Sequence, residues 1–588
     1  MSKDNLTLEY FDAEMRYLRE AAREFAQVFP DRAAMLNLNM PGPVEPQVEQ
    51  LFQGFAFLMG RLREKLDDDL PELTEGLIGM VRPQYLRMIP SLSIVELAPE
   101  VNEMKACAKI ARGFEVLSRP IGAQQTRCRY TTTQDLALRA LALDIVEVSQ
   151  ALNGRWVIRL RFSRGKLLRW DQMDLANIPL YLNASAPVAY ALHQALTLNA
   201  ETVHVRKAEA ERELLDVFFA VKGFADDDRL WPEGGRNDGS YQLLLEYFSF
   251  PERFMFVTLK GLEHMHIEPD APWFELEVLL RQPWPRAFAL GTENIRLHTV
   301  PVINLFPLEA EPITLDSLQS DYLLKAMGSK DNSIKVYSVD SVTAANSTTR
   351  HDYQPFKSFE HKGGTLPDGA SQRYFHTRVR RGPSGSHDTW LILGGDGFEV
   401  DRSDPTKRLS LRLTGTNGQL PRMALTSSVL DTAARSSRVN VKVQNLCPPT
   451  LPCYPPAGDR FHWRVLSHLG SQFLSMLDSA EVLRNTLALY DWTGGELNKQ
   501  RLKAITEVNH FLIQRFEKGF VLRGVDIEVA LDTECFAGEG DVFLFGEMLS
   551  RFFAQYADIH LFNQLTLVVQ PEGNCVRWRE NHSERVPG

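Results

Sequence analysis

The sequence predicts a multidomain α+β protein: an N-terminal helical bundle segment, β-rich middle domains and a C-terminal α+β domain. Three observations carry this expectation. At 588 residues the chain exceeds what one core can organise, and at about 150 residues per domain it divides into roughly four. Apolar residues recur every three or four positions through the first 90 residues, which is the period of helices. After Pro90 that period gives way to short alternating runs, and helix and strand patterns mix again from residue 441. The expected divisions are a helical segment at 1–90, a β-rich domain at 91–225, a mixed aromatic-rich domain at 226–325, a β-rich and loop-rich domain at 326–440, and an α+β domain at 441–588.

Each element has its own warrant. Within residues 8–30, Phe11, Met15, Leu18, Ala22, Phe25 and Phe29 fall at steps of four and three, sharing one helical stripe that Pro30 ends. Past the connection MPGPVEP, a second helix carries Val48, Leu51, Phe52, Phe55, Leu58, Met59, Leu62 and Leu66, an apolar face wide enough for two neighbours. Leu70, Leu73, Leu77, Ile78 and Val81 mark a third helix, and Pro83 disfavours helix at Arg82. SLSIVEL then alternates like a half-buried strand, and RWVIRLRF (155–162) does so strictly. ETVHVRKAE begins the same way, whereas NIPLYLNASAPVAYALHQALTL reads as strand, turn and short helix. YQLLLEYFSFPERFMFVTLKGLE and HTVPVINLFPLEAEPITLD are aromatic-rich and broken by prolines. Polar loops such as EHKGGTLPDGASQ separate the strands TWLILGG and RLSLRLTG. A Pro-rich connector, LCPPTLPCYPPAGD, leads into helix VLSHLGSQFLSMLDSAEVLRNTLALYDW, strand GVDIEVALD, helix VFLFGEMLSRFFAQYA and strand LTLVV. In that last helix Phe545, Leu549, Phe552, Phe553 and Tyr556 form one face, expected to pack on LTLVV within its own domain.

Composition narrows the function classes. Hydrophobic residues make up 44% and charged residues 24%, an ordinary globular balance. Lys plus Arg number 65 against 75 Asp plus Glu, a net charge of −10 that disfavours nucleic acid or anionic lipid as a partner of the whole molecule. The start lacks a basic cap followed by an apolar run, and nowhere do about 18 uncharged apolar residues run together, so the chain is expected to stay in the cytoplasm without membrane insertion. Six scattered cysteines fit buried thiols in a reducing compartment.

Candidate chemistry is sparse. Cys447, Cys453, His462 and His468 follow a C-x5-C-x8-H-x5-H spacing, longer between the cysteines than zinc sites usually use and stiffened by PPTLP. His264 and His266 would point the same way from a strand, with no third ligand evident. GPSGS (382–386) lacks the spacing of a hydrolase elbow, and GGDGFEVDRSD (394–404) is an acidic Gly-rich loop without the calcium-loop order. RVRRGP (378–383) reads as a solvated strand edge, and no pair of carboxylates can be placed across a cleft. The residues alone favour a scaffold over an enzyme, with no catalytic, cofactor-binding or metal residue assigned.

Several of these stretches together resemble the TssF family, also called VasA or ImpG, a baseplate subunit of the bacterial type VI secretion system. YFDAEMRYLREAAREFAQVFP and the block from PQVEQLFQGFAFLMG through SLSIVEL are similar to the family's opening. FSFPERFMFVTLKGL and VPVINLFPLEAEPITLD, with Asn304-Leu305-Phe306-Pro307 and Glu309-Ala310-Glu311-Pro312, resemble its middle motifs. LTGTNGQLP, FHWRVLSHLGSQFLS, LRGVDIEVALD and DVFLFGEMLSRFFAQYADIHLFNQLTLVV continue the resemblance, although Gly418 stands where an arginine is common. The resemblance implies a structural protein without substrate or cofactor. It implies a wedge in which two copies of this chain pair around one TssG, together with TssK and TssE. Such wedges would ring the VgrG spike hub, meet neighbouring wedges and dock on the cytoplasmic side of the membrane complex.

On that reading the apolar stripes Phe11/Met15/Leu18/Phe25 and Leu51/Phe55/Leu58/Leu62 are candidate partner-interface residues of a mixed TssF–TssG core bundle. The alternative is that they pack on the chain's own second domain. Two other classes remain: a carbohydrate- or peptide-active enzyme with a cleft in the β-rich middle, and a metal-stabilised binding module built on Cys447, Cys453, His462 and His468.

Overall fold

The structure is a computed structural model that describes residues 83–581 apart from 122–124, 208–212, 215, 232–238, 266, 317–318, 320, 328–332, 347–348, 357–372, 382–386, 405–406, 424–429, 434–439, 457–458, 471–472, 518–519 and 557–560; before residue 83 it describes Met15, Leu18, Ala22, 50–59 and 74–79. The chain is multidomain α+β and β-rich, and it forms two compact units, one of residues 1–86 and 456–470, the other of 87–455 and 471–588.

The first unit is helical in its described parts. Residues 50–59 and 74–79 are helical, and a 3₁₀ turn at Pro83–Leu86 follows the break expected before Pro83. Helix Asp459–Gly470 belongs here although it lies far away in sequence, and its His462 Nδ1 sits 3.4 Å from Thr74 Oγ1. The single long helix expected over 465–492 is interrupted: Asp459–Gly470 is followed by a 3₁₀ turn at Leu474–Leu477 and helix Ala480–Ala488. Ser479 causes the restart, because its side chain accepts the Val482 N–H as a helix cap.

The second unit is built on sheets that draw strands from distant stretches. A six-stranded sheet orders Leu430–Ala433, Glu115–Ile121, Thr126–Thr132, Thr299–Ile303, Leu92–Pro99 and Val441–Asn445, so it crosses the divisions at 225, 325 and 440 expected from sequence. The strictly alternating run becomes strand Trp156–Arg164 in a five-stranded sheet, paired antiparallel with Leu141–Gln150 and Trp273–Leu280. Strand Asn177–Leu182 and helix Ala186–Thr197 match the expected strand, turn and helix.

Residues 306–416 make a mixed sheet closed on itself. Its path runs Phe306–Glu309, Arg408–Thr416, Lys335–Ala345, Arg350–Pro355, Tyr374–Arg381, His387–Gly394 and Asp321–Leu323. The bridge between Ala310 and Ala326, with the Met327 N–H donating to the Glu309 carbonyl at 2.9 Å, joins last strand to first. Leu391, Leu409, Leu411, Leu413, Val342 and Ala344 fill the interior. Residues 394–404, expected as a loop, contain helix Asp396–Arg402, and residues 262–264, expected as strand, form a 3₁₀ turn after Gly261, whose φ of +91 turns the chain out of the preceding strand.

The C-terminal part is a sheet of Ile505–Glu517, Phe520–Asp532, Leu561–Gln570 and Asn574–Arg577, with helix Glu539–Ala554 joining the parallel middle pair. Phe545, Leu549, Phe552 and Phe553 of that helix are buried, as expected. The helix packs not only on Leu561–Gln570 but also on helices Ala186–Thr197 and Gly239–Ser249, which ties the C-terminal domain to the middle of the chain.

Candidate assembly surface

One short helix carries five exposed large apolar side chains within nine residues. In 50–59, Leu51, Phe55 and Leu58 fall at i, i+4 and i+7 on one face and are 70%, 54% and 66% exposed, with Phe57 and Met59 exposed beside them. Only Ala56 is fully buried in that segment. A short helix with this much bare apolar area gains about 1.5–3 kcal/mol for each large side chain that a neighbour covers. In the first stripe Met15 is buried and Leu18 half-buried. Phe11, Phe25 and Leu62 lie outside the described residues.

In the larger unit, buried polar networks join distant stretches of the chain. Asn304, in the NLFP motif, is fully buried and has both ends of its amide engaged. Its Nδ2 donates to the Arg129 carbonyl at 2.6 Å and to Asn417 Oδ1 at 2.9 Å, while its Oδ1 accepts the Thr416 hydroxyl at 2.8 Å and the Asn417 N–H at 2.7 Å. Asn417 belongs to the TGTNGQLP motif, so two motifs about a hundred residues apart meet where the six-stranded sheet joins the closed sheet. A second network fixes the C-terminal domain. Arg501 Nη2 donates to both oxygens of Asp541, at 2.8 and 3.0 Å, and to the Tyr190 hydroxyl at 2.9 Å. In a third, Asp401 accepts from Arg373, Lys407 Nζ at 2.6 Å and the Tyr353 hydroxyl at 2.9 Å. Burial alone would raise the Asp401 carboxyl, but these donors outweigh it and hold the pKa down to about 2.

None of these networks was legible from spacing. Asp401 lay in a segment read as an acidic loop, and a short helix instead aims it inward at two cations. The weak signal available for Asn304 and Asn417 was their place in two separate family-like motifs.

Among the described residues the catalytic and metal readings find no matching geometry. Among the described residues no three His, Cys, Asp or Glu side chains converge as a metal site. Cys447 Sγ instead accepts the Ile94 N–H at 3.2 Å, and burial pushes its thiol up to about 12, against the thiolate that zinc requires. Burial raises the Cys453 thiol as well. The side chains of His264 and His266 and all of GPSGS lie outside the described residues. A described cavity of about 120 Å³ in the middle of the chain is lined by Arg229, Arg253 and Arg551 against Asp226 alone, which is not the paired carboxylates of a glycosidase.

An exposed apolar stripe is a feature of assembly subunits, and comparison with known proteins agrees. The family model described as "Type VI secretion system, TssF" matches residues 3–585. The chain belongs to the TssF family. The type VI secretion system component TssF1 of Pseudomonas aeruginosa is 30% identical over 620 aligned positions, covering 98% of this chain and 99% of that protein. A chain in the cryo-electron microscopy structure of the type VI secretion system TssK-TssF-TssG baseplate subcomplex is 53% identical, with a TM-score of 0.82, over 92% of this chain and 100% of that one. A chain of the type VI secretion system baseplate complex is 51% identical, with a TM-score of 0.70, over 99% of this chain and 100% of that one. As a member of TssF this chain is a structural wedge component of the baseplate and not an enzyme. No helix among the described residues is long and apolar enough to cross a membrane.

Proposed function

We propose that this chain is the wedge scaffold that binds TssG through its N-terminal helices and carries TssK, with two copies of the chain around each TssG. The observation that carries this reading is the exposed stripe Leu51, Phe55 and Leu58 on helix 50–59. An apolar ridge at this spacing fits the groove between partner helices, and its burial there removes the surface that would otherwise aggregate. Residues 1–90 supply the assembly segment, Phe11, Met15, Leu18, Phe25 and Leu62 extend its stripes, and the stretches 91–225, 226–325, 326–440 and 441–588 form the body that spaces the partners. TssE, the VgrG hub and neighbouring wedges meet that body, on the cytoplasmic side of the membrane complex.

Coexpression with the TssG of the same secretion cluster tests this. Leu58→Glu changes a residue 66% exposed in the isolated chain, so the chain itself keeps its fold. The expected result is loss of TssG from the purified complex, with an unchanged unfolding midpoint for the chain alone. Retention of TssG by Leu58→Glu and Phe55→Glu together would overturn the assignment of this face.

A further inference from the structure

We propose that strand Ile505–Glu517 is a self-pairing edge, to which a second copy of this chain adds its own Ile505–Glu517, antiparallel about a two-fold axis at Phe511. The strand is 13 residues long and stands at the end of the C-terminal sheet. One side pairs with Phe520–Asp532, and among the described residues no strand pairs with the other. Edge strands are normally blunted by shortness, lysine, proline or a bulge. Residues 507–515, EVNHFLIQR, contain neither lysine nor proline, and the register shift lies between Ile505 and Glu507, at the start of the strand. Both faces are bare near the centre. Phe511 is 51% and Leu512 73% exposed, although neighbours in a strand point to opposite faces. Val508 is buried and His510 Nδ1 lies 3.4 Å from the Leu477 carbonyl oxygen, so the layer covering that face stops before Leu512.

Charge selects one register. When two identical antiparallel strands are related by a two-fold axis perpendicular to the sheet, one residue sits opposite itself and the others pair at equal steps on either side of it, because opposed side chains share a face. With Phe511 at the centre, Glu507 of each copy faces Arg515 of the other and Asn509 faces Ile513. Centred on Leu512, Arg515 would face Asn509, and centred on His510, Glu507 would face Ile513. Of these three registers only the first pairs both charges, and opposite charges directly across two strands attract. Both groups are placed for it. Arg515 is 53% exposed, held over the Phe562 ring and beside Glu580, and Glu507 is exposed with Asn509 Nδ2 donating to it at 3.1 Å on the same face. The same register sets the bare Leu512 opposite His510 of the second copy, where the covering layer resumes.

This edge is separate from the stripe assigned to TssG, and cysteine cross-linking of the full chain, with TssG where it is retained, tests it. Cys107 and Cys575 are exposed, so the background is Cys107→Ser with Cys575→Ser, oxidised with copper phenanthroline. Phe511→Cys should give a disulfide-linked dimer, because opposed residues of an antiparallel pair have Cα atoms about 4.5–5.5 Å apart, within disulfide reach. Asn509→Cys, displaced from its own copy by four residues or roughly 14 Å, should not link. Glu507→Arg should lower the Phe511→Cys yield at least ~5-fold, and adding Arg515→Glu should restore it. Self-pairing is refuted if Phe511→Cys does not link, as when a strand of TssG occupies the edge instead, or if Asn509→Cys links equally, as in nonspecific aggregation. It is also refuted if Glu507→Arg leaves the yield unchanged or Arg515→Glu does not restore it. A chain that retains TssG without linking through Phe511→Cys loses this edge alone, whereas one that links in register but retains no TssG keeps the edge and loses the TssG reading.

Discussion

Replacing Asn304 by Ala removes the amide that links the two largest sheets. In the wild type that amide makes four hydrogen bonds at 2.6 to 2.9 Å, with Asn304 and Thr416 fully buried and Asn417 nearly so. Asn417 Oδ1 keeps a donor after the change, because the Arg129 N–H reaches it at 3.0 Å, and the Thr416 hydroxyl can rotate. The Asn417 N–H loses its side-chain partner in a buried place, and the Arg129 carbonyl loses one in a partly buried place. At about 1–3 kcal/mol for each such group the loss is ~2–6 kcal/mol, centred near 4. With a urea slope of ~3 kcal/mol per molar or more, the midpoint falls by about 1 M. Fluorescence-monitored urea unfolding at neutral pH measures this. Asn417→Ala should cost a similar amount, and the double variant clearly less than the sum, because both substitutions break one network. A shift under ~0.2 M for Asn304→Ala, or strict additivity, would refute the argument that this junction holds the sheets together.

Other outcomes follow from the same reasoning. Asp541→Asn strands the nearly buried Arg501 and should destabilise by ~3–5 kcal/mol, whereas Arg501→Met with Asp541→Leu should recover most of that loss in the same urea assay. Burial holds His193, His298 and His468 neutral in the fold, each with its pKa pulled down to about 4, with Arg139 adding to the effect at His298. The unfolded chain therefore binds protons first as pH falls below about 6.5, so stability is flat above that pH and declines toward pH 4 by up to ~1.4 kcal/mol per pH unit per histidine. Glu252, raised by burial, opposes this decline as pH falls through its folded-state pKa. His193→Leu should remove roughly a third of the decline between pH 6.5 and 5. Purified chain should carry no stoichiometric zinc by elemental analysis, since Cys447 is held as a thiol by packing rather than ligation.

Much of the fold was legible where one local period decided the element. Strand Trp156–Arg164 alternates because one face is buried, helix Ala186–Thr197 follows a proline at its second position, and Pro83 breaks the helical run before it. What the period cannot say is which element an apolar face meets. The helix Glu539–Ala554 reads the same whether it covers one sheet or a sheet and two helices, and the structure has it doing the latter. Close approach explains part of that choice: at Gly540 an added Cβ would lie 2.2 Å from the Tyr190 carbonyl, so only glycine lets the two helices meet. Helix Asp459–Gly470 shows the same limit, since its grouping with the N-terminal segment depends on contacts such as Thr74 with His462. Of the candidate surface, the stripe at Leu51, Phe55 and Leu58 was visible in sequence as an over-wide apolar face, but its exposure was not.

We propose that this chain is a scaffold completed by TssG. Size-exclusion chromatography with light scattering, on the chain alone and coexpressed with its cognate TssG, tests that claim most directly. The expected result is one joint peak whose mass fits two copies of the 66.8 kDa chain and one TssG, with aggregation when the chain is made alone. A well-behaved monomer that elutes apart from TssG would contradict it.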